Sequence, residues 1–193
     1  MEQLRSFVAI ELPDEVKLAL NRLEDRLKSQ KPLQVKWVDP KSIHLTLQFL
    51  GNISSGRITE ITAALAEAAN GFSSFHLEIK GLGVFPNPRR VQVAWVGVSG
   101  EVEQLLTLQK RIQSNLSPLG FVPESRPFTP HLTVARVREQ ASLEERQGFG
   151  QLIMGTKFEE LYSFTVDSIA LMRSQLIRSG AIYTRLNYVR LTT

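Results

Sequence analysis

The sequence predicts an α+β protein made of two similar lobes that face each other across a cleft. Three observations carry that reading. Short β-branched and aromatic runs alternate with longer amphipathic stretches. The order of those elements occurs twice in the 193 residues. The same tripeptide, His-Leu-Thr, stands at the equivalent place in each half.

Taken in order, Phe7–Ile10 reads as a first strand closed by Leu12-Pro13. Asp14 then caps a helix over 15–29, whose Val16, Leu20, Leu23 and Leu27 recur at helical spacing. Val35–Val38 is a short extended piece, and Ile43–Leu50 a strand ending at Gly51-Asn52. A helix over 55–69 follows, then extended pieces at Phe75–Ile79 and Val84-Phe85, and a turn at Pro86-Asn87-Pro88. The pattern starts again with a strand at Val91–Val96 and a helix over 101–116 striped by Val102, Leu105, Leu108 and Ile112. A proline-bearing loop leads to a strand at His131–Val137, a polar helix over 143–153, and strands at Phe164–Met172 and Ala181–Leu191.

The spacings of the two halves agree. His44 lies 37 residues after Phe7, and His131 lies 38 after Val93. Ile79 and Val166 each stand 35 residues beyond their histidine. A period this long is a duplicated unit rather than a solenoid, so the whole of 1–193 is expected to form a single domain of two pseudo-symmetric lobes.

The chain has three histidines, His44, His76 and His131, and two of them carry Thr at the second position onward. With 11 threonines in the chain, that coincidence has odds of about one in a hundred. Residues i and i+2 of a strand share a face, so His44 projects with Thr46, and His131 with Thr133. Leu45, Leu47, Leu132 and Val134 point the other way and anchor the strands. Imidazole titrates near pH ~6.5, and a pair can work as one base and one acid. Two hydroxyls can donate to the non-bridging oxygens of a phosphate. Facing lobes would set the imidazoles on opposite sides of that phosphate, as in-line displacement needs. One such motif alone is more often structural than catalytic; the repeat reverses that judgement. His76, without Thr at its second position, is expected to be structural or at the surface.

Composition narrows the alternatives. The chain has no cysteine, which rules out disulfides, thiolate catalysis and zinc–thiolate sites. Two histidines with two threonines lack the third imidazole or carboxylate of a catalytic zinc site, so neither a metal nor a cofactor is expected. No apolar run approaches the ~20 residues of a membrane span, and the opening Met1–Ser6 is too polar for a secretory signal. A cytoplasmic monomer with no membrane partner is the simplest expectation. The formal net charge of +4 permits RNA as a partner without demanding it. Lys28, Lys31, Lys36 and Lys41 read as a solvated face. Trp37 and Trp95 read as core, and Arg89 and Arg90 as RNA-backbone contacts or solvated charge.

His44-Leu45-Thr46-Leu47 with Phe49-Leu50-Gly51, and Phe128-Thr129-Pro130-His131-Leu132-Thr133-Val134-Ala135-Arg136, resemble the paired motifs of the two-histidine phosphoesterase superfamily. Arg5–Pro13, Trp37-Val38, Gly81–Arg90, Ser174-Gln175-Leu176 and Gly180–Tyr183 extend the likeness almost end to end. Within that superfamily the chain resembles the RNA 2′,3′-cyclic phosphodiesterases, also called 2′-5′ RNA ligases. The resemblance implies a bilobal fold with two antiparallel sheets lining a central groove. It implies hydrolysis of an RNA 2′,3′-cyclic phosphate end to a 2′-phosphate, with His44 as proton donor to the leaving 3′-oxygen, His131 as the base on water, and Thr46 and Thr133 on the phosphate oxygens. By reversibility, an RNA hydroxyl in place of water would give ATP-independent 2′-5′ ligation. The residues alone do not say which histidine is acid and which is base.

Arg126 suits phosphate through its forked donors, and Phe128 suits either base stacking or a groove wall. RNA ends, tRNA fragments and small nucleotides all remain possible substrates. So do a cyclic nucleotide, a 2′,5′-linked oligoadenylate and an ADP-ribose cyclic phosphate. A non-catalytic RNA- or nucleotide-binding module is the rival of another class.

Overall fold

A computed structural model describes residues 2–30, 34–123, 125, 127–158, 162–177 and 180–192. The element order is β1 (Gln3–Glu11), α1 (Asp14–Lys28), β2 (Val35–Trp37), β3 (His44–Ser54), α2 (Ile58–Ala69), β4 (Phe75–Phe85), β5 (Val93–Gly100), α3 (Val102–Leu116), β6 (His131–Val137), α4 (Leu143–Gly155), β7 (Tyr162–Val166), β8 (Ser168–Ile177) and β9 (Gly180–Arg190). Two antiparallel sheets result, one in the order β3-β1-β8-β9 and one in the order β2-β6-β5-β4-β7.

The α+β duplication is present, with a twist that the sequence did not disclose. β3-β1-β8 in one sheet corresponds to β6-β5-β4 in the other. β4, which ends the first repeat, pairs with β5 of the second. β8, which ends the second, pairs with β1 of the first. Each sheet therefore borrows a strand from the other half. Apolar residues from both sheets and all four helices then pack into one core, including Val8, Leu20, Leu45, Leu65, Val96, Leu108, Leu132 and Ile153. Burial of that area is what holds the sheets in their mutual placement.

Several expected boundaries shift for identifiable reasons. Pro13, with extended φ/ψ, precedes α1, and Asp14 is the first helical residue with no side-chain cap bond. Its contribution is charge: Asp14 and Glu15 open the helix, and Arg26 and Lys28 close it, each complementing the helix dipole. The two extended pieces at 75–79 and 84–85 are one strand, β4, whose pairing slips between Ile79 and Leu82 where Gly81 takes φ +75°. The single strand expected at 164–172 breaks at Asp167. Val166 closes one sheet opposite Phe75, and Ser168 enters the other opposite Arg190. The Asp167 carbonyl accepts from Leu191 N–H at 2.8 Å, fixing the crossing. α4 forms where expected, behind a capping box of Ser142 and Glu145. Among the described residues no helix is long and apolar enough to cross a membrane.

Candidate active site

Each His-Leu-Thr sits at the start of a strand next to the first strand of its repeat: β3 beside β1 and β6 beside β5. Leu45, Leu47, Leu132 and Val134 are buried in the core. His44, Thr46, His131 and Thr133 are half-buried on the other face. Cα atoms of β3 and β6 come within 8 Å of each other, so the two His-x-Thr strands approach across the boundary between the sheets.

Both imidazoles are fixed in the same way. His44 Nδ1 donates to the Ser42 carbonyl at 2.8 Å, and His131 Nδ1 donates to the Thr129 carbonyl at 2.7 Å. A carbonyl only accepts, so Nδ1 carries the proton in both rings and Nε2 is left for chemistry. The Ser42 carbonyl is itself set by a 3₁₀ turn over Pro40–Ser42, where the Asp39 carboxylate accepts from Lys41 N–H at 3.0 Å. Neither Nε2, nor the hydroxyl of Thr46 or Thr133, has a protein hydrogen-bond partner among the described residues.

An aromatic floor lies under each histidine. Phe7 stacks on His44 at 4.5 Å between ring centroids, and Tyr183 meets His44 edge-on at 4.8 Å. Phe7, Ala9, Ala170 and Met172 form a small cluster separate from the main core, with Tyr183 packed on it. On the other sheet Phe85 meets His131 edge-on at 5.1 Å, and Trp95 lies 6.4 Å away. Trp95 is therefore not a core residue. It faces the groove opposite Thr133, and its indole lies across its cross-strand neighbour Gly83, where a Cβ would come within 2.2 Å of the ring. Gly83 is glycine because the indole occupies that space. Trp37 is half-buried and packs partly on the core, as expected.

The two floors differ in electrostatics. Burial lowers the His44 pKa below its ordinary value, against the opposing pulls of the Ser42 carbonyl and the Glu11 carboxylate. Glu11 is the cross-strand partner of His44 and is held by Arg185 Nη1 at 2.9 Å.

A bulge at the same place in each motif brings a further residue into the groove. The β1–β3 register runs Ala9 to Thr46 and Val8 to Gln48, leaving Leu47 unpaired. The β5–β6 register runs Trp95 to Thr133 and Ala94 to Ala135, leaving Val134 unpaired. Leu47 with Gln48, and Val134 with Ala135, are consecutive buried pairs. The strand phase flips after each pair, so Phe49 and Arg136 come to the face of His44 and His131. Phe49 is 55% exposed there, 6.2 Å from Phe7, and Arg136 is exposed. The α3 side chain of Gln109 supports the first bulge, donating to the Leu47 carbonyl at 3.4 Å.

The profile of the LigT like Phosphoesterase family matches residues 10–95 and again residues 96–183, one copy for each His-x-Thr motif. The chain belongs to this family. Its similarity to an RNA 2′,3′-cyclic phosphodiesterase of Methanothermobacter thermautotrophicus is 35% identity over 189 residues, 98% of this chain and 100% of that one. An RNA 2′,3′-cyclic phosphodiesterase of Aquifex aeolicus is 34% identical over 169 residues, 86% of this chain and 88% of the other. Among solved structures, E. coli LigT complexed with 3′-AMP superposes with a TM-score of 0.77 at 26% identity, covering 100% of each chain. The protein TT0787 of Thermus thermophilus gives 0.77 at 27%, covering 97% of this chain and 98% of that one.

In this LigT-like chain the remaining candidates fall out as follows. Phe128 is half-buried and packs on the core. Arg126 lies outside the described residues. His76 is a surface residue whose backbone N–H donates to Glu101 Oε2 at 2.6 Å. Among the described residues no three His, Asp or Glu side chains group as metal ligands would. The sequence reading assigns no site role to Phe7, Phe49, Phe85, Arg136 or Tyr183, although each stands in a segment that carries the family resemblance, and it places Trp95 in the core. The signal for Arg136 was present, since Val134-Ala135 breaks the alternation of an otherwise regular strand. Gln48 concealed the same break in β3.

Proposed function

We propose that the groove hydrolyses the 2′,3′-cyclic phosphate at an RNA 3′ end to a 2′-phosphate. What supports this is the pair of tied imidazoles, each with its Nε2 free among the described residues and a threonine on the same face of its strand. Family membership and similarity to proteins named RNA 2′,3′-cyclic phosphodiesterase supply the substrate class.

In the proposed reaction His131 Nε2 takes a proton from water as the water oxygen attacks phosphorus. The P–O3′ bond breaks in line, and O3′ leaves with a proton from His44 Nε2. One P–O bond forms, one breaks, and the proton exchange with solvent resets both rings. Thr46 and Thr133 donate to the non-bridging oxygens. Arg136 adds a cation at the phosphate end, and Phe49 offers an exposed face to the terminal base. His44 is the ring whose pKa burial lowers, so it is neutral in the empty groove at neutral pH. The anionic phosphate favours its imidazolium form and so charges the acid when substrate arrives. The same geometry with an RNA hydroxyl in place of water gives 2′-5′ ligation. The reading is of one two-lobed unit acting as a cytoplasmic monomer, with no step routed through a metal.

The test is release of 2′-phosphate-ended RNA from a cyclic-phosphate-ended oligonucleotide, with chelator present. Wild-type protein should turn over, and His44→Ala and His131→Ala should each lose at least a hundredfold in kcat. Turnover that survives both changes, or that demands a divalent metal, defeats the mechanism. Tight RNA binding without product at any pH would favour the non-catalytic module. A panel of 2′,3′-cyclic mononucleotides, 2′,5′-oligoadenylate and ADP-ribose cyclic phosphate separates the substrate classes.

A further inference from the structure

β2 is a three-residue strand at the edge of the second sheet, and its register with β6 places Lys36 opposite Arg136. Val35 and Val137 on one side of that pair, and Trp37 and Ala135 on the other, all pack on the core. Strand alternation therefore turns both Lys36 and Arg136 to the groove face, where both are exposed. The ladder continues one residue further, because Arg138 N–H donates to the Gln34 carbonyl at 2.8 Å. Arg146 Nη2 donates to the Arg138 carbonyl at 2.9 Å, so this backbone is held from both sides. The Arg138 side chain is exposed, and alternation past Val137 puts it on the face of Arg136. Arg136 and Arg138 are thus about 7 Å apart along one face, leading away from Thr133.

The facing sheet is different. Arg185, two residues from Tyr183, is tied to Glu11 at 2.9 Å, and Arg173 is tied to Glu2 at 2.6 Å. Lys36, Arg136 and Arg138 form no ion pair among the described residues, and Glu139, the nearest acid in sequence, forms none with them. On the facing sheet Arg5 of β1 is exposed and unpaired among the described residues, but it stands alone, whereas Lys36, Arg136 and Arg138 cluster on one face of the second sheet. A lysine on an edge strand also discourages strand pairing, but that purpose does not require Arg138 beside it or a common face with the histidine.

We infer that Lys36 and Arg138 form a subsite for the backbone phosphates upstream of the reacting nucleotide, so that an RNA chain leaves the groove over the second sheet. This rests on the reading of the groove as a site for cyclic-phosphate ends. It adds the direction of the chain and a preference for oligonucleotides over a cyclic mononucleotide. Phosphate contacts of this kind set register without reading bases.

The experiment compares 2′,3′-cyclic AMP with a short oligonucleotide ending in a 2′,3′-cyclic phosphate, for wild type and for the double variants Lys36→Ala/Arg138→Ala and Lys36→Glu/Arg138→Glu. Wild type should show the higher kcat/KM on the oligonucleotide. The alanine pair should raise KM for the oligonucleotide about tenfold at low salt, and the glutamate pair more, with kcat unchanged. Both should leave cyclic AMP kinetics within twofold, which also shows the variants fold. The slope of log affinity against log salt, read from anisotropy of the 2′-phosphate-ended product RNA, should flatten by roughly 0.7 for each contact removed. Equal loss on both substrates, or an unchanged oligonucleotide KM and salt slope, overturns the subsite. Wild-type protein inert on both substrates instead overturns the proposed function itself.

Discussion

Gly83→Ala tests whether the aromatic floor positions His131. An added Cβ would lie 2.2 Å from Trp95 Cη2 and Cζ2 and 2.6 Å from Cε2. Carbon atoms in contact sit ~3.5–4 Å apart, so the indole has to retreat by more than about 1 Å. Its neighbours on that side are Phe85, 5.2 Å away, and His131, 6.4 Å away, with Phe85 itself 5.1 Å from His131. Overpacking of this kind costs about 1–3 kcal/mol, which for a chain of this length lowers Tm by roughly 2–12 °C. Displacing a catalytic ring by about 1 Å costs on the order of a hundredfold in rate. Thermal melts and initial rates on a cyclic-phosphate substrate should therefore show both losses, with kcat falling more than stability alone explains. Adding Trp95→Phe removes the atoms nearest the new methyl, so the double variant should recover most of the lost rate. A Gly83→Ala protein with wild-type Tm and kcat within twofold, or a double variant no better than the single, refutes the claim that this floor holds the base.

Three further outcomes follow from the charges and polar atoms in place. Glu24 is fully buried on α1 beside Lys28 Nζ at 2.9 Å, and burial pushes its pKa up to about 7. A carboxylate with a raised folded-state pKa destabilises the fold as pH rises from its unfolded value through the folded one, so Glu24→Gln should gain about 2–3 kcal/mol on wild type between pH 5 and pH 8; paired melts that show a pH-independent difference contradict this. Glu11→Gln removes the carboxylate that opposes the lowering of the His44 pKa, so the alkaline limb of kcat/KM, where the acid loses its proton, should move to lower pH; an unmoved limb means that His44 is not the acid. Gln48 is buried with both amide atoms unpartnered among the described residues, so Gln48→Met should raise stability by about 1–2 kcal/mol in chemical denaturation, and a loss would show that the amide has a partner in solution.

The sequence made the two His-Leu-Thr strands legible because a strand has a period of two and the core side is plainly apolar. Leu45, Leu47, Leu132 and Val134 declare the buried face, so the opposite face follows. It was blind wherever that period fails. The bulges at Leu47 and Val134 add one residue each, and Phe49 and Arg136 change sides without any change in composition. It was also blind to partnership between distant segments. Nothing in Gly81–Phe85 announces that Gly83 accommodates an indole, because the reason for that glycine lies in β5. Likewise Val166-Asp167-Ser168 reads as one strand until the pairing of Phe75 with Val166, and of Ser168 with Arg190, shows two sheets competing for it. Helices α1 to α4 were easier, since their stripes and caps are local.

Duplication explains why a symmetric motif can carry an asymmetric reaction. Two copies of one strand supply the same tied Nδ1, the same hydroxyl and the same bulge, so geometry alone cannot make one ring an acid and the other a base. The neighbours do that. His44 lies between Phe7 and Tyr183, with a carboxylate at its cross-strand position and an arginine holding that carboxylate. His131 has Gly97 at the equivalent position, with no charge there. After the bulge the first copy presents a ring and the second a guanidinium. A nucleotide end has the same two halves, an apolar base and a charged phosphate chain. On the proposed reading, the exposed Phe49 ring on one sheet and the cluster of unpaired Lys36, Arg136 and Arg138 on the other favour one orientation of the substrate. On the proposed mechanism that orientation, more than any difference between the rings, would fix which Nε2 meets water and which meets O3′. Exchanging Phe49 for Arg and Arg136 for Phe in a single protein should for that reason abolish turnover while leaving both imidazoles in place. A swapped protein that kept wild-type kcat on RNA cyclic phosphate would show that the rings, and not their neighbours, set the direction.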